Sequence, residues 1–200
     1  MQVRQKAGYH FKVTIRPIVI AGEPVLHTRA KEVSVFDAEL EQLVADMYQT
    51  MDKAPGVGLA APQIGVGLRI FVYSYDDDEG NPRRGEVINP VIQLGPISKQ
   101  PADEDTEVEG CLSAPGERFP LKRAETAIVD GVNLKNEPVH IEAEGWFARI
   151  MQHEFDHLDG FLYLDKLAKE WHKERKLMYA ENEWGLPGKS WLPGRDNLEG

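Results

Sequence analysis

Residues 146–157 constrain this chain more than any other stretch. They read Trp-Phe-Ala-Arg-Ile-Met-Gln-His-Glu-Phe-Asp-His. The first part is strongly apolar and predicts a helix over about 144–158 that sits at the centre of a fold. His153 and His157 stand four apart, so on a helix they share one face, about one turn from each other. A histidine pair can also be a plain surface feature. Burying both imidazoles with the carboxylate of Glu154, however, is costly unless a cation pairs them. The fold must therefore enclose this helix and leave room beside it for an ion.

Glu154 can lean over such an ion and take a proton from water, which makes a hydrolase the natural reading. A catalytic centre of this type needs a third protein ligand and one open position. In one peptidase class a third histidine follows the motif, but Tyr163 occupies that position here. In another class a glutamate on a later helix serves, and Glu170, Glu174 and Glu181 lie in about the right region. The remaining candidate is Cys111, whose bland alternative is a buried small hydrophobe.

Composition narrows the setting. The chain has 200 residues, 42% hydrophobic and 28% charged, enough for one domain with a core and a shaped pocket. Its net charge of −10 argues against binding DNA or an anionic membrane. One cysteine cannot form an internal disulfide. No apolar run approaches the ~20 residues that span a bilayer, and no apolar signal region follows Met1. These features place the chain in the cytoplasm.

Residues 1–35 read as an extended arm, with Pro17 limiting any strand to a short or edge position. A first helix is predicted over 37–53, with Asp37 as its cap and Leu40, Leu43, Val44, Met47 and Met51 in one apolar stripe. Residues 56–65, rich in Gly and Ala, suit a loop that approaches something closely. Strands are predicted at 69–74, at 87–94 with an interruption at Pro90, at 126–132 and at 139–143, with a solvated turn at 76–82. A last helix is predicted over 164–182. The expected architecture is α+β: short, mostly antiparallel strands packed around a central helix that carries the histidine pair, with a C-terminal helix. The expected organisation is one catalytic domain, 1–184, and a Gly/Pro-rich tail, 185–200, lying on the surface or partly disordered.

Three segments occur in order: Gly56-Val57-Gly58-Leu59-Ala60-Ala61-Pro62-Gln63, Glu109-Gly110-Cys111-Leu112-Ser113, and Gln152-His153-Glu154-Phe155-Asp156-His157. Together they resemble the three signature segments of the peptide deformylases, over about residues 10–180. The tail looks like the C-terminal extension of some longer bacterial members. The resemblance implies removal of the formyl group from the N-terminal formyl-methionine of new proteins. It implies that Cys111, His153 and His157 hold the metal, and that Glu154 is general base and then general acid. Gln63, through its amide, and Leu112, through its backbone N–H, would stabilise the oxyanion.

The chemistry agrees with these roles, since formamide hydrolysis needs activated water, oxyanion donors set in advance and a proton for the leaving amine. By the same resemblance Val57, Gly58, Gly110, Trp146, Arg149 (through its stem) and Ile150 line the substrate cleft, with Arg118 near the peptide backbone. Asp156 is a candidate for orienting a ligand or an arginine. Ala114 stands where the family often has valine or isoleucine.

Two imidazoles and a thiolate suit zinc. The resemblance points instead to iron(II) as the first choice for one divalent cation, with zinc, nickel or cobalt able to occupy such a site. The expected partner is the formyl-methionyl end of a nascent protein. The charged surface of residues 169–176 would allow a transient ribosome contact, although a solvated face is the default.

Overall fold

A computed structural model of the chain describes residues 12–77, 79–196 and 198. The strands are β1 (Ile18–Val19), β2 (Gly58–Ala60), β3 (Ile70–Asp76), β4 (Pro82–Leu94), β5 (Val108–Cys111), β6 (Ala114–Pro120), β7 (Thr126–Val132), β8 (Pro138–Glu144) and β9 (Ser190–Trp191). The α-helices are α1 (Ala38–Lys53), α2 (Gly145–Leu158) and α3 (His172–Glu181). The strands form a five-stranded sheet in the order β2-β3-β4-β7-β8 and two ribbons, β1-β9 and β5-β6. All these pairings are antiparallel. The expected α+β architecture is the one observed.

The sheet is covered on both faces, and the alternation of its strands shows how. In β3, Ile70 and Val72 point into one apolar cluster with α1, while Phe71 points into another with α2. Leu59 and Ala60 of β2 divide in the same way. Phe147, Ala148, Ile150, Met151 and Leu158 of α2 meet Val87, Ala127, Val129 and Ala143. Burial of each large apolar side chain here contributes roughly 1.5–3 kcal/mol, which fixes the helix against the sheet. The C-terminal end of α2 is held as well. Ala30 N–H and the buried Arg69 guanidinium both donate to the Leu158 carbonyl, at 2.8 and 3.2 Å.

Local signals explain most boundaries. Asp37 caps α1, accepting from the backbone N–H groups of Glu39 and Leu40 at 3.0 and 3.1 Å. Pro90 does not end β4; it shifts the register between Ile88 and Val91. Asn89 takes a positive φ there, and its amide pairs with both backbone groups of Val33 at 2.8 Å. The arm leading to β1 is pinned to α1 by Asp46, which accepts from Thr14 N–H, Arg16 Nε and Gln42 Nε2. Of the arm expected over 1–35, residues 1–11 lie outside the described residues.

Two expectations need correction. The single helix over 164–182 is broken into two 3-10 turns, Tyr163–Lys166 and Lys169–Trp171, followed by α3. Leu167 and Ala168 between them are extended. The carbonyls of Leu164 and Leu167 meet α3 side chains, Arg175 Nη1 at 2.6 Å and His172 Nε2 at 3.2 Å, instead of the backbone N–H groups a continuous helix would give them. Tertiary contacts override a good local helix pattern. The surface tail is partly built into the fold: β9 pairs with β1, and Trp191 is 3% exposed.

Candidate metal centre

Helix α2 carries His153 and His157 on one face, with ring centroids 4.9 Å apart. Opposite them, the β5-β6 ribbon turns tightly through Leu112 and Ser113, so that Cys111 pairs with Ala114. This turn presents the Cys111 sulfur 3.3 Å from His157 Nε2. One ligand atom each from Cys111, His153 and His157 lies within 4.8 Å of the others. Among the described residues this is the one such group. Glu170, Glu174 and Glu181 are exposed and outside it. Ala114, which pairs with Cys111, is fully buried.

Glu154 is buried on the same helix, and its Oε2 has no hydrogen-bond partner. Burial raises its carboxyl to about 7; the neighbouring His153 pulls it down and Glu109 pushes it up. For His153, burial opposes the charged form, but the Cys111 sulfur and the Glu109 carboxylate outweigh it and raise the imidazole well above its ordinary value. For His157, burial and then the His153 and Arg123 charges push the imidazole well down. A buried thiol, two imidazoles and an orphaned carboxyl oxygen form a donor set that fits a divalent cation with a water beside it.

The groups behind His153 are fixed by charge. Glu109 is 3% exposed and accepts from Arg123 Nε and Nη2, from Arg149 Nη1 and from His153 Nδ1, at 2.8, 2.9, 2.8 and 3.0 Å. Burial alone would raise its carboxyl, yet Arg123 and His153 hold it far below the ordinary range. Arg123 also donates to Asp156 at 2.5 Å, and Asp156 takes Lys166 on its other oxygen. Asp156 therefore orients an arginine, as expected of it. Gln152 holds the backbone of Ala124 through both ends of its amide, at 3.0 and 2.9 Å.

Glu109 and Arg123 are functional neighbours that the sequence reading did not select. For Glu109 a signal existed: it stands two before Cys111 on a strand, hence on the same face. For Arg123 there was none.

Gln63 sits in a 3-10 turn, Ala61–Ile64, and is buried. Ala60 N–H donates to its Oε1 at 2.8 Å, which leaves Nε2 facing the Cys111 sulfur at 3.6 Å. The cleft above these groups holds about 230 Å³. Gly56, Val57 and Gly58 form one wall, Gly110 and Leu112 another, and Trp146, Arg149 and Ile150 of α2 close the end, with Arg118 also lining it. Val57 and Trp146 are 43% and 42% exposed, so their apolar surface faces this opening. Arg149 is tied down by Glu109 and by the Leu121 carbonyl at 2.7 Å. A Cβ on Gly58 would lie 2.2 Å from Glu154 Oε1, so any side chain there would displace that carboxyl.

The polypeptide deformylase family model matches residues 15–173. The chain belongs to the polypeptide deformylase family. A relative named peptide deformylase from Mycolicibacterium paratuberculosis is 52% identical over 189 residues, 91% of this chain and 96% of that protein. The crystal structure of a peptide deformylase from Legionella pneumophila superposes with a TM-score of 0.71 at 36% identity, over 85% of this chain and 96% of that one. A Met-Ala-Ser-bound crystal structure of a class I type b peptide deformylase from Acinetobacter baumannii gives 0.66 at 32% identity, over 77% and 99%. Membership makes this chain an enzyme of the deformylase type. No helix among the described residues is long and apolar enough to cross a membrane.

Proposed function

We propose that Cys111, His153 and His157 hold one divalent cation and that Glu154 moves the proton while the formyl amide is hydrolysed. The observation that carries this reading is the ligand triangle, closed to within 4.8 Å, with the buried Glu154 carboxyl beside it. The bound cation supplies Lewis-acid activation, bringing the pKa of water toward neutrality. Glu154 accepts the proton of the attacking water and returns it to the leaving amine. Gln63 Nε2, oriented by the Ala60 N–H, and the backbone N–H of Leu112 donate to the oxyanion as it forms. Glu109 holds His153 by its Nδ1, which leaves Nε2 for the cation.

The cleft supports the substrate assignment. Gly58 and Leu112 narrow it at the reacting end, which admits a formyl hydrogen and rejects an acetyl methyl. Val57, Trp146, Ile150 and the stem of Arg149 offer the apolar wall that a methionine side chain needs. Gly110 lets the peptide backbone approach, and Arg118 lines the same cleft. A relative described as bound to Met-Ala-Ser supports a peptide with N-terminal methionine as the ligand. Iron(II) is the first choice of metal, ahead of zinc, nickel or cobalt. Action on nascent chains would place the enzyme in the cytoplasm, with residues 169–176 free to touch the ribosome. Replacement of Glu154 by alanine tests the assignment. Metal content should stay near one per chain while turnover falls by about 10²–10⁴; turnover within a few-fold of the parent would refute it.

A further inference from the structure

The C-terminal strand reaches the metal loop. Trp191 Nε1 donates to the Leu112 carbonyl at 2.8 Å, in a buried environment. That carbonyl belongs to the peptide unit joining Leu112 to Ser113. The N–H at the other end of the same unit, that of Ser113, donates to the Cys111 sulfur at 3.4 Å. One peptide plane is therefore held at its oxygen by the indole and gives its hydrogen to the ligand sulfur. Hydrogen bonds in such a chain polarise one another, so the indole strengthens the bond to the sulfur.

The anchoring is extensive. β9 pairs Trp191 with Ile18 of β1. Just past β1, Ala21 N–H donates to the Ser113 carbonyl at 2.9 Å, the next carbonyl of the loop. Gly185 N–H donates to the Ala21 carbonyl at 3.1 Å, and a Cβ on Gly22 would lie 2.7 Å from the Gly185 backbone. The β1 and β9 segments thus close on the turn that carries Cys111 and Leu112.

We infer that Trp191 is a positioning residue for the metal thiolate: through the Leu112–Ser113 peptide it sets the hydrogen bond to the Cys111 sulfur and the orientation of the adjoining oxyanion loop. This rests on Cys111 being a metal ligand. A donor on a ligating sulfur withdraws electron density and lowers its lone-pair energy. Loss of the indole N–H should make the sulfur more electron-rich and the turn less fixed.

The test uses the full chain loaded with cobalt(II), whose sulfur-to-metal charge-transfer band reads the thiolate directly. Two replacements are compared: Trp191→Phe, and benzothienylalanine at position 191, which keeps the ring volume and lacks only the N–H donor. The expected result, in variants that bind one cobalt and melt cooperatively, is a shift of the band to longer wavelength. A fall in kcat of about tenfold with little change in KM should accompany it. A band at the parent wavelength in the benzothienylalanine protein overturns the inference while leaving the metal centre intact. A parent protein with no band that Cys111→Ser removes overturns the metal-centre reading, and this inference with it.

Discussion

Gly58→Ala adds a single methyl group, and its consequence is set by geometry. The new Cβ would stand 2.2 Å from Glu154 Oε1, 2.6 Å from Cδ and 2.8 Å from Cγ. Ordinary contact begins at 3.4 Å, so the carboxyl must retreat by about 1.2 Å or the strand must move. The strand is the stiffer partner, because β2 is paired along its length with β3, Gly58 opposite Tyr73. Glu154 is therefore the group that yields. A misplacement of about 1 Å in a reacting group costs on the order of 10²-fold in rate. Gly58 does not occupy the left-handed region, so alanine adds little backbone strain, and restriction of the unfolded chain offsets part of the steric cost. The expected protein is folded, binds one metal ion through the untouched Cys111, His153 and His157, and shows kcat lowered about 100-fold. Formate release and metal content on the same preparation decide it. A kcat within about threefold of the parent would show that the reaction does not depend on Glu154 being held there.

Other expectations follow from the same structure. Cys111→Ala should abolish stoichiometric metal binding after gel filtration; an undiminished metal content would mean that the third ligand lies elsewhere. Asp46→Asn should destabilise the fold by about 1–2 kcal/mol at neutral pH, since it weakens the bonds from Thr14, Arg16 and Gln42. Burial pushes the Asp46 carboxyl up, but those bonds outweigh it and hold it below the ordinary range. Its stabilising contribution is therefore present above the unfolded carboxyl value and is lost as pH falls through the folded value. In denaturant titrations the gap between parent and Asp46→Asn should narrow toward acid; a constant gap would contradict this. The anaerobically purified iron protein should lose activity in air, as a thiolate-bound ferrous site open to water is prone to oxidation. Full activity after long exposure would argue against iron.

What could be read from the sequence was mostly local. The Asp37 cap, the apolar stripe of α1 and the face shared by His153 and His157 are patterns of a few residues, and each stands in the structure as the spacing requires. The pairing of Cys111 with those histidines spans more than forty residues, and it was reachable through the Glu-Gly-Cys-Leu-Ser setting of the cysteine and its likeness to a known family. Contacts without a repeating pattern were not legible. Arg123 meets Asp156 across 33 positions and Trp191 meets Leu112 across 79, and neither pair carries a spacing that announces it. The break before α3 was hidden for a different reason: residues 164–182 suit a helix locally, and it is the bonds from Arg175 and His172 to the Leu164 and Leu167 carbonyls that replace the helical ones.

The central claim is that this cleft removes a formyl group from an N-terminal methionine. Formate release from formyl-methionyl peptides by the metal-loaded protein, with acetyl-methionyl peptides as the control, tests it most directly. Rapid release from the first, and none of the corresponding acetate from the second, is the expected result. No formate from the loaded protein, or equal cleavage of both peptides, would contradict it.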